Sequence, residues 1–481
     1  MNSHKSPVVQ HGKVQNAVTV CFAVALTVAL SACGGSKGAT TTPNPTPTAK
    51  TAVQVNMGDS PADWMLAFSM NINSMSLTGS NGSVSVVSST VPMEMMHLMG
   101  IMQPLTMINA PQGTYTGASI VIGSATVMYM DPATKSPMQK TISGPITVPV
   151  TFSTPITVAS TPIAMGFDLD LAHSVTADAS GNLTMTPVFH VSSGTQGAGN
   201  PLDFANGGIQ MMMGTVSSVS GTSFIMNSMQ AAQTFTFQTN STTMFDNASM
   251  GSMGNGMLVM VDASLQPDGT LMATRVQSMM SSGGVMGGGI ITTVTGQPAT
   301  ALTMVMQNGA GTGMMASTFA TGATITLNPG TTYQIDSDGM DMSGLPFAPV
   351  FDGTHIYVGQ SVMPISSSGM SGGGMGGGMM GGTLLAGTIT ASQIALEPRG
   401  LSGTVAAAIT SGSTTTFTLT LPSDSAFKTM TGAGSVTVFQ QSKTTVSGTS
   451  PIASGSTVHA FGLLFYDAGQ WKMVSSRMGS E

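Results

Sequence analysis

The segment Met93–Met102 reads MEMMHLMGIM. Thioethers are soft ligands that suit Cu(I), so Met93, Met95, Met96, His97 and Met99 are candidate metal ligands. The competing expectation is packing, because methionine is unbranched and fills irregular cores. The chain's 44 methionines are spread over strand-like and loop-like stretches alike, which favours core filling. Asp336, Asp338 and Asp341 form the densest acidic cluster, within Asp336-Ser337-Asp338-Gly339-Met340-Asp341. Carboxylates so close can hold a hard cation through oxygen. A calcium loop starting at Asp336 would carry Glu at its last position, where this chain has Phe347, so a polar hairpin turn is expected. Asp168 and Asp170 share one strand face, as a glycosidase pair could, yet no partner group marks them as one. Apart from His4 and His11, no two of the seven histidines lie closer than seventeen residues, which gives no local zinc spacing. Gly369-Met370-Ser371-Gly372-Gly373 matches G-x-S-x-G, and Gly376–Gly381 matches G-x-G-x-x-G. Both patterns need a strand before and a helix after; here they lie in a glycine tract that produces them by chance. No catalytic residue and no cofactor is expected, and the chain is read as a non-enzyme.

The most specific chemistry lies near the start. Met1–Lys13 is polar with two lysines, and Ala17–Ala29 is an apolar run of thirteen residues. A membrane-spanning helix needs about 20, so this reads as the apolar core of a signal peptide. It ends in Leu30-Ser31-Ala32-Cys33, which resembles the bacterial lipobox. The resemblance implies cleavage before Cys33 and acylation of its sulfur. Cys21 would leave with the signal, so no disulfide is expected within the mature chain. Pro43, Pro45 and Pro47 would hold the following tether extended. Gly34 after the cysteine, by resemblance to bacterial sorting rules, implies the outer membrane.

The elements that must position these residues are strands. Charged residues are only 6% of the chain, against roughly 25% in an ordinary soluble domain. Hydrophobic residues at 41% and a net charge of −7 exclude disorder by composition. Four of the 12 basic residues precede the first acid, Asp59, so the remainder carries 19 acids against 8 bases. Nucleic acid is therefore not an expected partner. Period-2 runs recur, as in Ile146–Phe152 (ITVPVTF), Thr234–Gln238 (TFTFQ) and Phe417–Leu421 (FTLTL). Asn81-Gly82, Gly181-Asn182, Asp268-Gly269 and Asp352-Gly353 punctuate them as turns. No sustained 3.6 period follows Cys33, so the fold class is all-β. A transmembrane β-barrel would need two aromatic girdles, which the few aromatic residues do not form.

Residues 53–193 run from Gly58-Asp59-Ser60-Pro61-Ala62 through Pro111-Gln112-Gly113-Thr114-Tyr115 to Phe167-Asp168-Leu169-Asp170 and Leu183–Val191. This order resembles domain of unknown function 4382, which implies a β-sandwich in a secreted or lipid-anchored protein. Gly214-Thr215-Val216 and Gly403-Thr404-Val405 each open a stretch with a later Phe-Thr strand and a closing turn, Asp268-Gly269 in the one and Asp467-Ala468-Gly469 in the other. A degenerate copy runs from Val294-Thr295-Gly296 to Ile394. These stretches resemble domain of unknown function 5666, which implies small β-barrels. The expected layout is a signal peptide at 1–32, a tether at 33–52 and a β-sandwich at 53–193. Barrel repeats follow at 208–281, 290–398 (with a Gly/Met-rich insertion at 366–382) and 400–479. The expected function is a lipid-anchored cell-envelope protein, facing periplasm or surface, with a binding or structural role. Its partners would be the membrane through the anchor and an envelope protein or glycan. The alternatives are a periplasmic Cu(I)-binding protein and a carbohydrate-active or carbohydrate-binding one.

Overall fold

The Ile146–Val158 strand alternates exposed and buried residues along most of its length, because one face of its sheet meets a core and the other meets water. The same alternation marks Thr234–Gln238. In a computed structural model of the chain, residues 49–60, 62–98, 101–178, 181–195, 207–229, 233–278, 288–307, 323–337, 340–365, 388–411, 414–447 and 452–480 are described. They are almost wholly β, and Thr48–Glu481 forms one compact unit. The lipobox, the tether up to Thr48 and both glycine tracts with their G-x-S-x-G and G-x-G-x-x-G matches lie outside the described residues, Gly288 and Gly289 apart, whereas Lys50–Ala52, expected in the tether, already belong to the strand Lys50–Ser60.

The first lobe is a sandwich of two sheets. One sheet has the order Phe189–Thr195, Ile163–Asp170, Lys50–Ser60, Met102–Pro111; the other is centred on Met65–Gly79 paired with Gly113–Met130. Val53, Val55 and Met57 from the first meet Phe68, Ile72 and Ile120 from the second, all fully buried in one core. Lys50–Ser60 runs parallel to Ile163–Asp170, with Gly58 beside Asp168 and Ser60 beside Asp170. Ile163–Asp170 is antiparallel to Phe189–Thr195, with Asp168 beside His190.

Three barrels follow, and their strand pairing is the same. In the first the five ring strands are Gly208–Ser220, Ser223–Ser228, Thr234–Gln238, Leu258–Leu265 and Leu271–Ser278, and a short sixth, Met244–Asp246, runs parallel beside the last. In the second they are Gly289–Thr295, Ala301–Met306, Ala323–Ile335, Ser361–Ile365 and Thr388–Glu397. In the third they are Arg399–Ser411, Thr414–Thr420, Ser435–Ser447, Thr457–Asp467 and Gln470–Ser480. Counting within each barrel, the ring order is 1-2-3-5-4-1, antiparallel throughout except for a parallel third–fifth pair. That is the order of the five-stranded Greek-key barrel that OB-folds use.

A threonine latch recurs where the parallel pair breaks register. In the first barrel Asn240 N–H donates to Thr243 Oγ1 (3.0 Å), which donates to Ala273 O (2.8 Å). In the second, Asn328 N–H donates to Thr331 Oγ1 (2.9 Å), which donates to Ala391 O (2.9 Å). In the third, Gln441 N–H donates to Thr444 Oγ1 (2.8 Å), which donates to Ser475 O (2.7 Å). One hydroxyl thus satisfies two backbone groups that the bulge frees from the ladder. Each first strand also carries a glycine pressed against a neighbouring carbonyl. A Cβ on Gly214 would sit 2.4 Å from Asn227 O, on Gly289 2.2 Å from Val305 O, and on Gly403 2.3 Å from Thr420 O. In the second barrel this place belongs to Gly289, whereas Gly296 occupies a left-handed turn at φ +86°.

Apolar seams join the lobes. Met213 and Met260 of the first barrel pack on Met363 and Ile365 of the second. Leu66, Ala67 and Met128 of the sandwich pack on Ile290 and Val305 of the second barrel and Ala426 of the third. Leu463, Phe465 and Val474 of the third barrel belong to the core of the second.

Candidate functional site

Where these seams meet, the packing leaves a cavity of about 80 Å³, room for roughly five waters or one small solute. All four lobes line it: Asp63 and Gln103 from the sandwich, Met213 from the first barrel, Gln307 and Glu397 from the second, Arg399 from the third. Glu397 ends the last strand of the second barrel and Arg399 begins the first strand of the third. Pro398 between them leaves no N–H for a ladder, so the chain changes barrels there.

Arg399 is 8% exposed. Its Nη1 donates to Gly359 O at 2.5 Å, its guanidinium lies 5.3 Å from the centre of the Phe427 ring, and its buried Nε has no hydrogen-bond partner. Burial pulls its pKa down to about 10, against the pull of Asp63, so it stays charged at neutral pH. Burial, with Asp336 beside it, pushes the Glu397 carboxyl up to about 8, so it holds its proton at neutral pH. Burial also pushes Asp63 up, although Ser402 N–H donates to its Oδ1 at 3.0 Å. Gln307 Nε2 donates to Leu66 O at 2.7 Å. Gln103 Nε2 donates to Met211 O at 3.3 Å, while its buried Oε1 has no partner.

Met211 also lines this cavity, with a backbone φ of +52°. That conformation is uncommon outside glycine. A bulge between Ile209 and Met212 creates it, and two side chains grip its peptide groups. Asp262 Oδ1 accepts from Met211 N–H at 2.7 Å, and Gln103 holds the carbonyl.

The residues singled out in the sequence fall elsewhere, with two exceptions. Met93, Met95 and Met96 are buried in the sandwich at 2%, 0% and 5% exposure, and only Met96 of these reaches the cavity. Met99 and the His97 side chain lie outside the described residues. Asp336 lines the cavity. Asp341 instead closes an exposed turn, accepting from Ser343 N–H at 2.9 Å and Ser343 Oγ at 2.6 Å, and Asp338 is outside the described residues. Among the described residues no three His, Cys, Asp or Glu side chains are grouped to hold a metal ion. Leu30, Ser31, Ala32 and Cys33 also lie outside them.

Asp168 and Asp170 do acquire neighbours. Ser60 Oγ donates to Asp168 Oδ2 at 2.5 Å. Asp170 accepts from His173 N–H at 3.0 Å, and its Oδ2 lies 2.7 Å from His173 Nδ1 and 3.4 Å from His190 Nε2. Partial burial raises the Asp170 carboxyl, but these hydrogen bonds outweigh it and hold the pKa below the ordinary value. Asp59 is 4% exposed with no hydrogen-bond partner on either oxygen. Burial, then Asp168, Glu94 and Asp170, push its pKa far up, so it is a neutral acid.

The sequence did carry one signal for the cavity. In a chain with 6% charged residues, Glu397 and Arg399 stand two apart.

Residues 213–277, within the first barrel, match the family model of the domain of unknown function DUF5666. No curated protein matches the chain.

Proposed function

We propose that this chain is a lipid-anchored cell-envelope protein whose body is a binding scaffold, with the junction cavity as its ligand site. One observation carries the binding half. The lobes are joined by apolar seams, which need no polar group, yet Asp63, Gln103, Glu397 and Arg399 converge at their common centre. Burying such groups costs stability unless every one is satisfied, and here Gln103 Oε1 and Arg399 Nε are not. Stability given up at one place in a fold points to a function there. The anchoring half rests on the sequence: the thirteen-residue apolar run, Leu30-Ser31-Ala32-Cys33 and the proline tether. Two or more acyl chains hold a protein stably on a bilayer, where one does not. The order of the Asp59, Tyr115 and Asp168–Asp170 motifs supports reading the sandwich as similar to domain of unknown function 4382. The shared ring order supports reading all three barrels as copies of one domain.

The test fractionates cells making the wild type and Cys33→Ser, and analyses the protein from each membrane fraction by native mass spectrometry. Wild type should sit in the membrane and carry a non-covalent small-molecule or ion adduct. Ile290→Phe, which fills the cavity wall, should lose the adduct and keep the membrane location. A soluble wild type would overturn the anchor. A wild type without an adduct, or an adduct that survives Ile290→Phe, would overturn the site.

A further inference from the structure

The methionines are what the polar groups of the cavity leave unexplained. Met213 and Met260 are directly opposed in the antiparallel pair of the first barrel's first and fourth strands. Opposed residues on one face hold their Cβ atoms about 4.5–5.5 Å apart. Both line the cavity. Met211 joins them from the bulge of the same strand, its peptide held by Asp262 and Gln103. Glycine or asparagine would take that backbone conformation more readily, so the identity of the residue there is explained by its side chain. Met65 and Met96 line the cavity from the sandwich. Thioethers from four stretches of chain, far apart in sequence, therefore border one space.

Resting on the reading of this cavity as a binding site, we propose that it takes a soft monovalent metal ion, Cu(I), through the thioether sulfurs of Met211, Met213 and Met260, with Met96 or Met65 completing the set. Thioether sulfur selects Cu(I) over the hard ions that carboxylates prefer. Asp63 and Asp336 line the same space as Arg399, so acidic as well as basic residues border a cation there. The site differs from the linear run Met93–Met99. Met93 and Met95 do not line this cavity, which makes them internal controls.

The test is an anaerobic titration of the full-length protein in detergent with Cu(I) against the chelator bicinchoninate, with Ag(I) as a redox-inert probe in native mass spectrometry. The wild type should retain a single ion per chain against the chelator. Met213→Leu/Met260→Leu should weaken it at least tenfold, and Met93→Leu/Met95→Leu should leave it unchanged. Leucine keeps the packed volume; a circular dichroism melt verifies the fold, and Met211→Leu replaces the double variant should that one unfold. Failure to retain metal, no loss in the cavity variants, or equal loss in both doubles would overturn the proposal. An organic adduct on the membrane-isolated protein, lost in Ile290→Phe, would remove copper and leave the binding reading standing. If neither metal nor adduct is found, both fall.

Discussion

Replacing Glu397 by glutamine should make the protein more stable, and the gain should grow with pH. The folded carboxyl holds its proton up to about pH 8, against an ordinary value of 4.5. The unfolded chain releases that proton above pH 4.5. Between those limits the unfolded state is favoured further with each step up in pH, so the wild type loses stability as pH rises and levels off above 8. At 1.36 kcal/mol per pKa unit, the whole interval corresponds to about 5 kcal/mol. Glu397 is only partly enclosed, which softens this, and about 2–5 kcal/mol is the expected gain of Glu397→Gln at pH 8.5. At pH 4 the two proteins should agree within about 1 kcal/mol, since both side chains are then neutral in both states. Other buried acids, Asp59 among them, titrate alike in both proteins and cancel in the difference. Urea unfolding at pH 4, 7 and 8.5, followed by tryptophan fluorescence, reads the sandwich through Trp64 and the third barrel through Trp471. A difference independent of pH, or a variant less stable at pH 8.5, would refute the neutral carboxyl at the cavity.

The same sign applies to Asp59→Asn, because that carboxyl is buried without a partner; its melting temperature should rise over wild type more at pH 8 than at pH 5. Thr331→Val removes the hydroxyl that serves both Asn328 N–H and Ala391 O; Asn328 is exposed and can turn to water, while leaving the buried Ala391 O unpaired costs about 1–3 kcal/mol. Urea unfolding should show a loss in that range, with Thr332→Val, which makes only a 3.3 Å bond to Ser392 O, losing less. Gly289→Ala drives a Cβ to 2.2 Å from a backbone carbonyl; a loss of about 1–3 kcal/mol is expected, and a neutral result in the same assay would dismiss the close approach.

Strands were legible because a half-buried sheet imposes its period on the residues: ITVPVTF and TFTFQ both alternate in the structure. The first barrel was legible through its Gly-Thr-Val opening and its Asp268-Gly269 turn. Ring closure was implied by the resemblance to domain of unknown function 5666 and not by local pattern, since it depends on parallel pairing between strands that are not neighbours in sequence, as Phe237 with Leu271. The latch threonines left a faint trace, Asn or Gln three residues before Thr243, Thr331 and Thr444. The shared face of Asp168 and Asp170 followed from a period of two. Their contact with Ser60 did not, because the two strands lie 108 residues apart and their register is set by packing. The junction cavity was the least legible. It exists only where four lobes meet, and the perturbed state of Glu397 comes from burial that no local pattern encodes.

If the junction cavity holds a ligand, a crystal structure of the protein purified from its own membranes, without added ligand, will show it. Density other than water should appear inside the cavity, bordered by Arg399, Glu397 and the Met213–Met260 pair. A cavity filled by ordered water alone, hydrogen-bonded to Gln103 Oε1 and Arg399 Nε, would contradict it.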